Sequence, residues 1–355
     1  MFSSRFNITS LPKWGLLYLS LFSLACQDSV SIKSARDGGA ESDLVKRDLG
    51  SSDTELRIAD TTSDVLDLGR DASTHDLSQD TTNDVFRPDF GDTPFGGSRP
   101  AKIILPKNYD PKKSYPLLTL LHGYSSGGTV QNAYLGFGRQ VDKREFIYII
   151  AEGLRDGRGQ KYWNATDGCC DFDGTNPDDA GYLIGLVDEA IQRYNIDETR
   201  IYFTGHSNGG FMSYTLACKY GDRIAAIASL AGTTFLDPAL CEDTGDVSIL
   251  HVHGTLDAVI RFRGARSNGT LNGYPGAEET VNRWVTRNGC ESSEKGSRKN
   301  LSSGIIGKET RVKRWEKCDN GTQVEFWEIR GASHVPVLTK EYANGVLDFL
   351  LSQKK

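Results

Sequence analysis

Between about residues 97 and 352 the chain alternates short β-branched or aromatic runs with longer stretches whose apolar residues recur every three or four positions. The first pattern predicts strands at 102–105, 117–121, 146–151, 201–204, 224–229, 249–253 and 324–329. The second predicts helices at 179–194, 211–218, 277–288 and 341–351. In the 179–194 helix, Leu183, Leu186, Val187 and Ile191 share a face, and Asp178 or Asp179 supplies the N-cap. Strand and helix in alternation imply an α/β fold, with a mostly parallel central sheet covered by helices on both faces. The spacing leaves no room for a large lid.

The pattern breaks down before residue 96. Arg5 and Lys13 precede an apolar run, Trp14 to Ala25, that is short for a bilayer span and reads as an export signal. Ser23-Leu24-Ala25-Cys26 closes it in the manner of a bacterial lipobox, with Cys26 as the lipid acceptor; ordinary cleavage and release is the alternative. Residues 27–95 are rich in Asp, Ser and Thr and hold 16 acidic against 7 basic side chains, a balance of −9 where the whole chain has −6. With few aromatics, such a stretch buries too little surface to offset its ordering entropy and reads as a self-repelling spacer. The expected organisation is therefore signal 1–26, acidic linker 27–95 and catalytic domain 96–355. That domain is close to neutral and has no basic footprint for nucleic acid.

Chemistry concentrates at Gly205-His206-Ser207-Asn208-Gly209, a G-x-S-x-G sequence between the 201–204 strand and the 211–218 helix. A serine on such a strand-to-helix turn is exposed to a base that can take its proton. In folds built on this turn the acid and then the histidine follow the serine in the chain. His75, His122 and His206 do not follow Ser207, and His251 and His253 alternate on a buried strand, so His334 is the expected base. Asp257, just past the carboxyl end of the 249–253 strand, is the expected acid; Asp243 and Asp246 precede that strand. Backbone N–H groups must hold the developing oxyanion. Asn208 N–H follows the serine, and Tyr124 N–H lies in the small-residue loop after the 117–121 strand.

These stretches, with Trp163-Asn164-Ala165, Cys169-Cys170, Asp178-Asp179-Ala180-Gly181-Tyr182, His253-Gly254-Thr255-Leu256-Asp257 and Ala277 through Trp284, resemble the polyhydroxybutyrate-depolymerase-like esterases. That group includes feruloyl and acetylxylan esterases of carbohydrate esterase family one. The resemblance spans about residues 97–352 and departs at Val335-Pro336-Val337-Leu338, where many such esterases carry tryptophan after the histidine. It implies an α/β-hydrolase fold and an extracellular or surface-tethered serine carboxylesterase with Ser207, Asp257 and His334 as its triad. Ester-bearing polysaccharide, feruloyl or acetyl groups on xylan, is the implied substrate, with polyester as the alternative. A catalytically inactive carbohydrate-binding lipoprotein is the rival from another class. Trp163 is a candidate to stack on a ferulate ring or a sugar, and a structural anchor for its loop is the competing role. With the local order of the cysteines, the resemblance suggests the disulfides Cys218–Cys241 and Cys290–Cys318; Cys169 and Cys170 are joined to each other or left over. No cofactor, metal or obligate protein partner is expected, and the membrane is expected to be met only through Cys26.

Overall fold

Residues 93–242, 244–266 and 273–355 are described by the computed structural model. Cys26, the leader, most of the acidic linker and the rival acid Asp243 lie outside them. In chain order the strands are β1 (Lys102–Ile104), β2 (Tyr115–Leu121), β3 (Ile147–Ile150), β4 (Leu154–Arg155), β5 (Lys161–Tyr162), β6 (Ile196–His206), β7 (Ala226–Leu230), β8 (Ser248–Gly254), β9 (Ser292–Lys295), β10 (Thr310–Glu316) and β11 (Val324–Ile329). The helices are α1 (Gly128–Leu135), α2 (Val141–Arg144), α3 (Asp179–Arg193), α4 (Asn208–Lys219), α5 (Ala277–Arg287) and α6 (Lys340–Ser352).

One sheet runs in the order β1-β3-β2-β6-β7-β8-β11-β10-β9, and β4 and β5 form a small separate ribbon. The six strands from β3 to β11 are parallel, and β1, β10 and β9 add antiparallel edges. This is the α/β-hydrolase architecture. Parallel strands covered on both faces read as near-continuous apolar runs, and every residue of β2, β3, β7 and β8 is buried. On one face Leu118 and Leu120 of β2 pack in a cluster with Leu135 of α1 and Val346, Leu347 and Leu350 of α6. Asp178 caps α3 by accepting from Gly181 N–H at 2.8 Å. Helix α4 is buried along all of its residues from Asn208 to Cys218, so it cannot shift without disturbing the core.

The suggested disulfides are present. Cys218–Cys241 holds the end of α4, Cys290–Cys318 ties the turn after α5 to the turn after β10, and Cys169 is joined to Cys170. Closing loops with sequence separations of 23 and 28 residues stabilises the fold by about 3 kcal/mol each in the chain-entropy account.

Candidate active site

Parallel neighbours present their carboxyl ends at one edge of the sheet, and three side chains gather there. Ser207 follows β6 directly, Asp257 lies three residues past β8, and His334 lies five past β11. Ser207 is the N-cap of α4 at φ 56°, ψ −121°, a conformation that L-residues rarely adopt and that costs on the order of 1–3 kcal/mol. The surrounding bonds hold it: Ser207 N–H donates to Leu230 O at 2.8 Å, and Ser207 O accepts from Gly210 and Phe211 N–H at 2.8 and 3.0 Å. The motif glycines exist for close approach. A Cβ on Gly209 would overlap the Leu121 carbonyl, and one on Gly205 would overlap the Gly209 backbone.

His334 Nδ1 lies 2.7 Å from Asp257 Oδ2. The carboxylate can only accept, so Nδ1 carries the hydrogen and the part of the base falls to Nε2. The His334 ring lies against that of His206, the residue before Ser207, with centroids 4.7 Å apart, and His206 Nε2 donates to His334 O at 2.9 Å. Ser207, Asp257 and His334 are 4%, 6% and 4% exposed. Burial alone would raise the Asp257 pKa, but hydrogen bonds from His253 and His334 and the charge on their rings outweigh it and hold the carboxyl well below its ordinary range. Asp257 Oδ1 accepts from Val259 and Ile260 N–H, both at 2.9 Å. Asp246 sits at the other end of β8, bonded to Asn320.

The two expected oxyanion donors come from different elements. Asn208 is the first residue of α4, so its N–H has no acceptor within the helix. In the loop after β2, Gly123 N–H donates to Gln131 Oε1 at 3.1 Å and Ser125 N–H to Lys161 O at 2.9 Å. Tyr124 N–H, between them, has no protein acceptor among the described residues. The loop is braced by His122, whose Nδ1 donates to Gly123 O and whose Nε2 accepts from Gly153 N–H, both at 2.8 Å. Burial pushes the His122 pKa down to about 4, so the ring is neutral.

Trp163 differs from the expectation of a stacking platform. Its ring is fully buried and has no face for a substrate. Its Nε1–H donates to His122 O at 2.9 Å, while its own main chain clamps the Asn208 side chain: Trp163 N–H donates to Asn208 Oδ1 at 2.7 Å, and Asn208 Nδ2 donates to Trp163 O at 2.9 Å. The competing role, an anchor for its loop, is the one observed, and it connects both expected oxyanion donors.

Two further residues belong to the site. His253, read from its alternation as a core histidine, is buried but stands 3.4 Å from Asp257 Oδ2. His206 packs on His334, and burial pushes its pKa down to about 3. Among the described residues no group of three or more His, Cys, Asp or Glu is arranged to hold a metal ion, and no helix is long and apolar enough to cross a membrane.

The sequence profile of the phospholipase/carboxylesterase family of α/β-hydrolases matches residues 109–270. A bifunctional acetylxylan esterase/xylanase of Neocallimastix patriciarum is 25% identical over 241 residues, covering 68% of this chain and 31% of that protein. Feruloyl esterase B of Piromyces equi is 28% identical over 247 residues, covering 68% and 40%. The chain thus spans less than half the length of these two relatives. Among solved structures, an acetyl xylan esterase from Aspergillus awamori superposes with a TM-score of 0.51 at 15% identity, over 74% of this chain and 96% of that one. The chain has the α/β-hydrolase fold, and feruloyl and acetylxylan esterases are among the proteins to which it is similar.

Proposed function

We propose that this chain is a serine carboxylesterase that releases feruloyl or acetyl groups from plant cell-wall polysaccharide through an acyl-enzyme. The observation that carries the reading is the 2.7 Å bond from His334 Nδ1 to Asp257, on loops that converge beside a serine held at φ 56°. His334 Nε2 takes the Ser207 Oγ proton as Oγ attacks the ester carbonyl carbon. The carbonyl oxygen becomes an oxyanion held by Asn208 and Tyr124 N–H. Collapse breaks the ester C–O bond, and the imidazolium gives its proton to the leaving alcohol. Water, deprotonated by the same nitrogen, then attacks the acyl-enzyme and frees the acid. Asp257 stays ionised throughout and stabilises the imidazolium, in keeping with its depressed pKa. Relatives whose names include acetylxylan and feruloyl esterases favour the substrate class.

Residues 1–26 are proposed to direct export, with Cys26 as the site of lipid attachment, and 27–95 to space the esterase domain from the anchor. A second reading, polyester hydrolysis, has one observation in its favour: Leu256 and Val337, on the loops that bear Asp257 and His334, are 67% and 66% exposed. Acid release from acetylated xylan, methyl ferulate and polyhydroxybutyrate, measured side by side, separates the two. For the chemistry itself, Ser207→Ala is expected to lower kcat on p-nitrophenyl acetate by about 10⁶ and to abolish fluorophosphonate labelling. Hydrolysis by the variant at the parent rate would remove the proposal.

A further inference from the structure

The hydrolytic steps leave unused a group of arginines at the same edge of the sheet. Arg261 and Arg263 lie on the loop that follows Asp257, and Arg330 is the residue after β11 ends. With Phe262 and the Asp257 loop they line an open cavity of about 640 Å³ that shares Asp257 with the site described above. All three arginines are exposed. Among the described residues none of the three has a carboxylate within ion-pair distance. The two acids in the cavity wall are already engaged: Asp257 with His334 and His253, and Glu328 with Arg311 at 3.8 Å. Three cations therefore face one solvent-filled space in a chain whose net charge is −6.

Like charges gathered without counter-charges repel one another, and an anion in the cavity relieves that repulsion. A guanidinium is a planar fork of donors matched to a carboxylate. Phe262 adds an apolar wall for the C–H face of a ring; it is only partly buried and is backed by Phe326, with ring centroids 6.0 Å apart and planes at 24°. Carboxylate forks beside an apolar wall suit a pyranose that bears a carboxyl group.

We infer that the cavity bounded by Arg261, Arg263, Arg330 and Phe262 is a subsite for a uronic-acid unit of the substrate polysaccharide, seated beside the ester under attack. The assignment rests on the esterase reading for its biological sense and narrows the substrate to acidic glycans.

The test uses the full-length Ser207→Ala chain, which holds substrate without turnover. Calorimetric titration compares a xylo-oligosaccharide bearing one glucuronic acid with the neutral oligosaccharide of equal length. The acidic ligand is expected to bind at least about tenfold more tightly, consistent with one charge-assisted carboxylate contact, and to lose that advantage as salt is raised. Arg263→Ala with Arg330→Ala is expected to bring the two ligands to equal affinity, and the double lysine variant to keep part of the difference. Both positions are exposed, so unchanged circular dichroism confirms that the variants are folded. Equal affinities in the parent, no binding of the acidic ligand at millimolar concentration, or a preference that survives loss of both arginines would overturn the subsite. Free glucuronate or inorganic phosphate binding as tightly as the acidic oligosaccharide would reduce it to a general anion patch and overturn it equally. Loss of ester turnover in the parent would remove the esterase reading and leave this titration able to report on the cavity. Intact turnover with equal oligosaccharide affinities would remove the subsite alone.

Discussion

Asp257 Oδ2 serves two imidazoles, His334 Nδ1 at 2.7 Å and His253 Nε2 at 3.4 Å. The second is the end of a buried chain that runs from Tyr214 through His251 to His253. His253 Nε2 lies 2.8 Å from Ile260 O, which can only accept, so Nε2 carries a hydrogen. His251 Nε2 lies 3.2 Å from His253 Nδ1, and the Tyr214 hydroxyl lies 2.8 Å from His251 Nδ1. Burial holds the His251 pKa well below its ordinary value, in keeping with a neutral ring.

His253 is therefore expected to be a positioning residue. Its removal takes one donor from the Asp257 carboxylate, which then bonds His334 more strongly and favours the imidazolium. His253→Ala is expected to lower kcat about 10- to 100-fold and to move the acidic limb of the kcat/KM profile to higher pH. His253→Gln, which keeps an N–H donor, should recover part of both effects. A loss of rate with the limb unmoved would assign His253 to packing alone.

That arrangement marks the boundary of what the chain discloses in one dimension. Ser207, Asp257 and His334 are legible because each follows a strand, and parallel strands deliver their carboxyl ends to a common edge. His253 is not: its alternation with His251 describes a buried face, and its contact with Asp257 arises only because the loop after β8 folds back to bring Ile260 to the ring. The pattern predicts the seven strands β1, β2, β3, β6, β7, β8 and β11, but not β9 or β10 of the main sheet, nor the short β4–β5 ribbon. Ser292–Lys295 is entirely exposed and polar, and Thr310–Glu316 alternates buried Thr310, Val312 and Trp315 with charged residues. Edge strands of this kind resemble loops in composition. Helix α1 is missed for a related reason, since it begins at Gly128 and buries only Gly128, Gln131 and Leu135. The exposure of Trp163 cannot be read from residue type, and its burial changes its role from platform to brace.

Asn208 provides the second expectation. Its side chain satisfies both the N–H and the C=O of buried Trp163. Asn208→Ala leaves both main-chain groups without these partners, at a cost of about 1–3 kcal/mol for each buried group that finds no replacement. The loop of Trp163 also braces His122 beside Tyr124, so the variant should lower kcat as well as stability. Urea denaturation and steady-state kinetics measure the two effects. If stability and kcat were both unchanged, the clamp would have no part in holding the oxyanion donors.

The third expectation concerns acid stability. His122 and His206 have pKa values pushed down by burial to about 4 and about 3, and that of His251 lies well below normal for the same reason. In the unfolded chain each titrates near 6.5. Below that pH the unfolded state binds protons that the folded state refuses, so stability falls as pH drops from about 6.5 toward the folded values. At pH 5 the loss is about 2 kcal/mol for each of His122 and His206, as an upper bound, and His251 adds to it in the same direction. The Asp257 shift has the same direction, and the same outcome at lower pH. Its folded pKa is depressed, so its contribution is complete above the unfolded value near 3.9 and is lost as pH falls through and below it. Denaturant midpoints should therefore be flat above about pH 7.5, decline steadily from 6.5 to 4, and decline further below 4. A profile that is level between pH 7 and 5 would mean that these three histidines take up protons in the folded state, against the burial that holds their pKa values down.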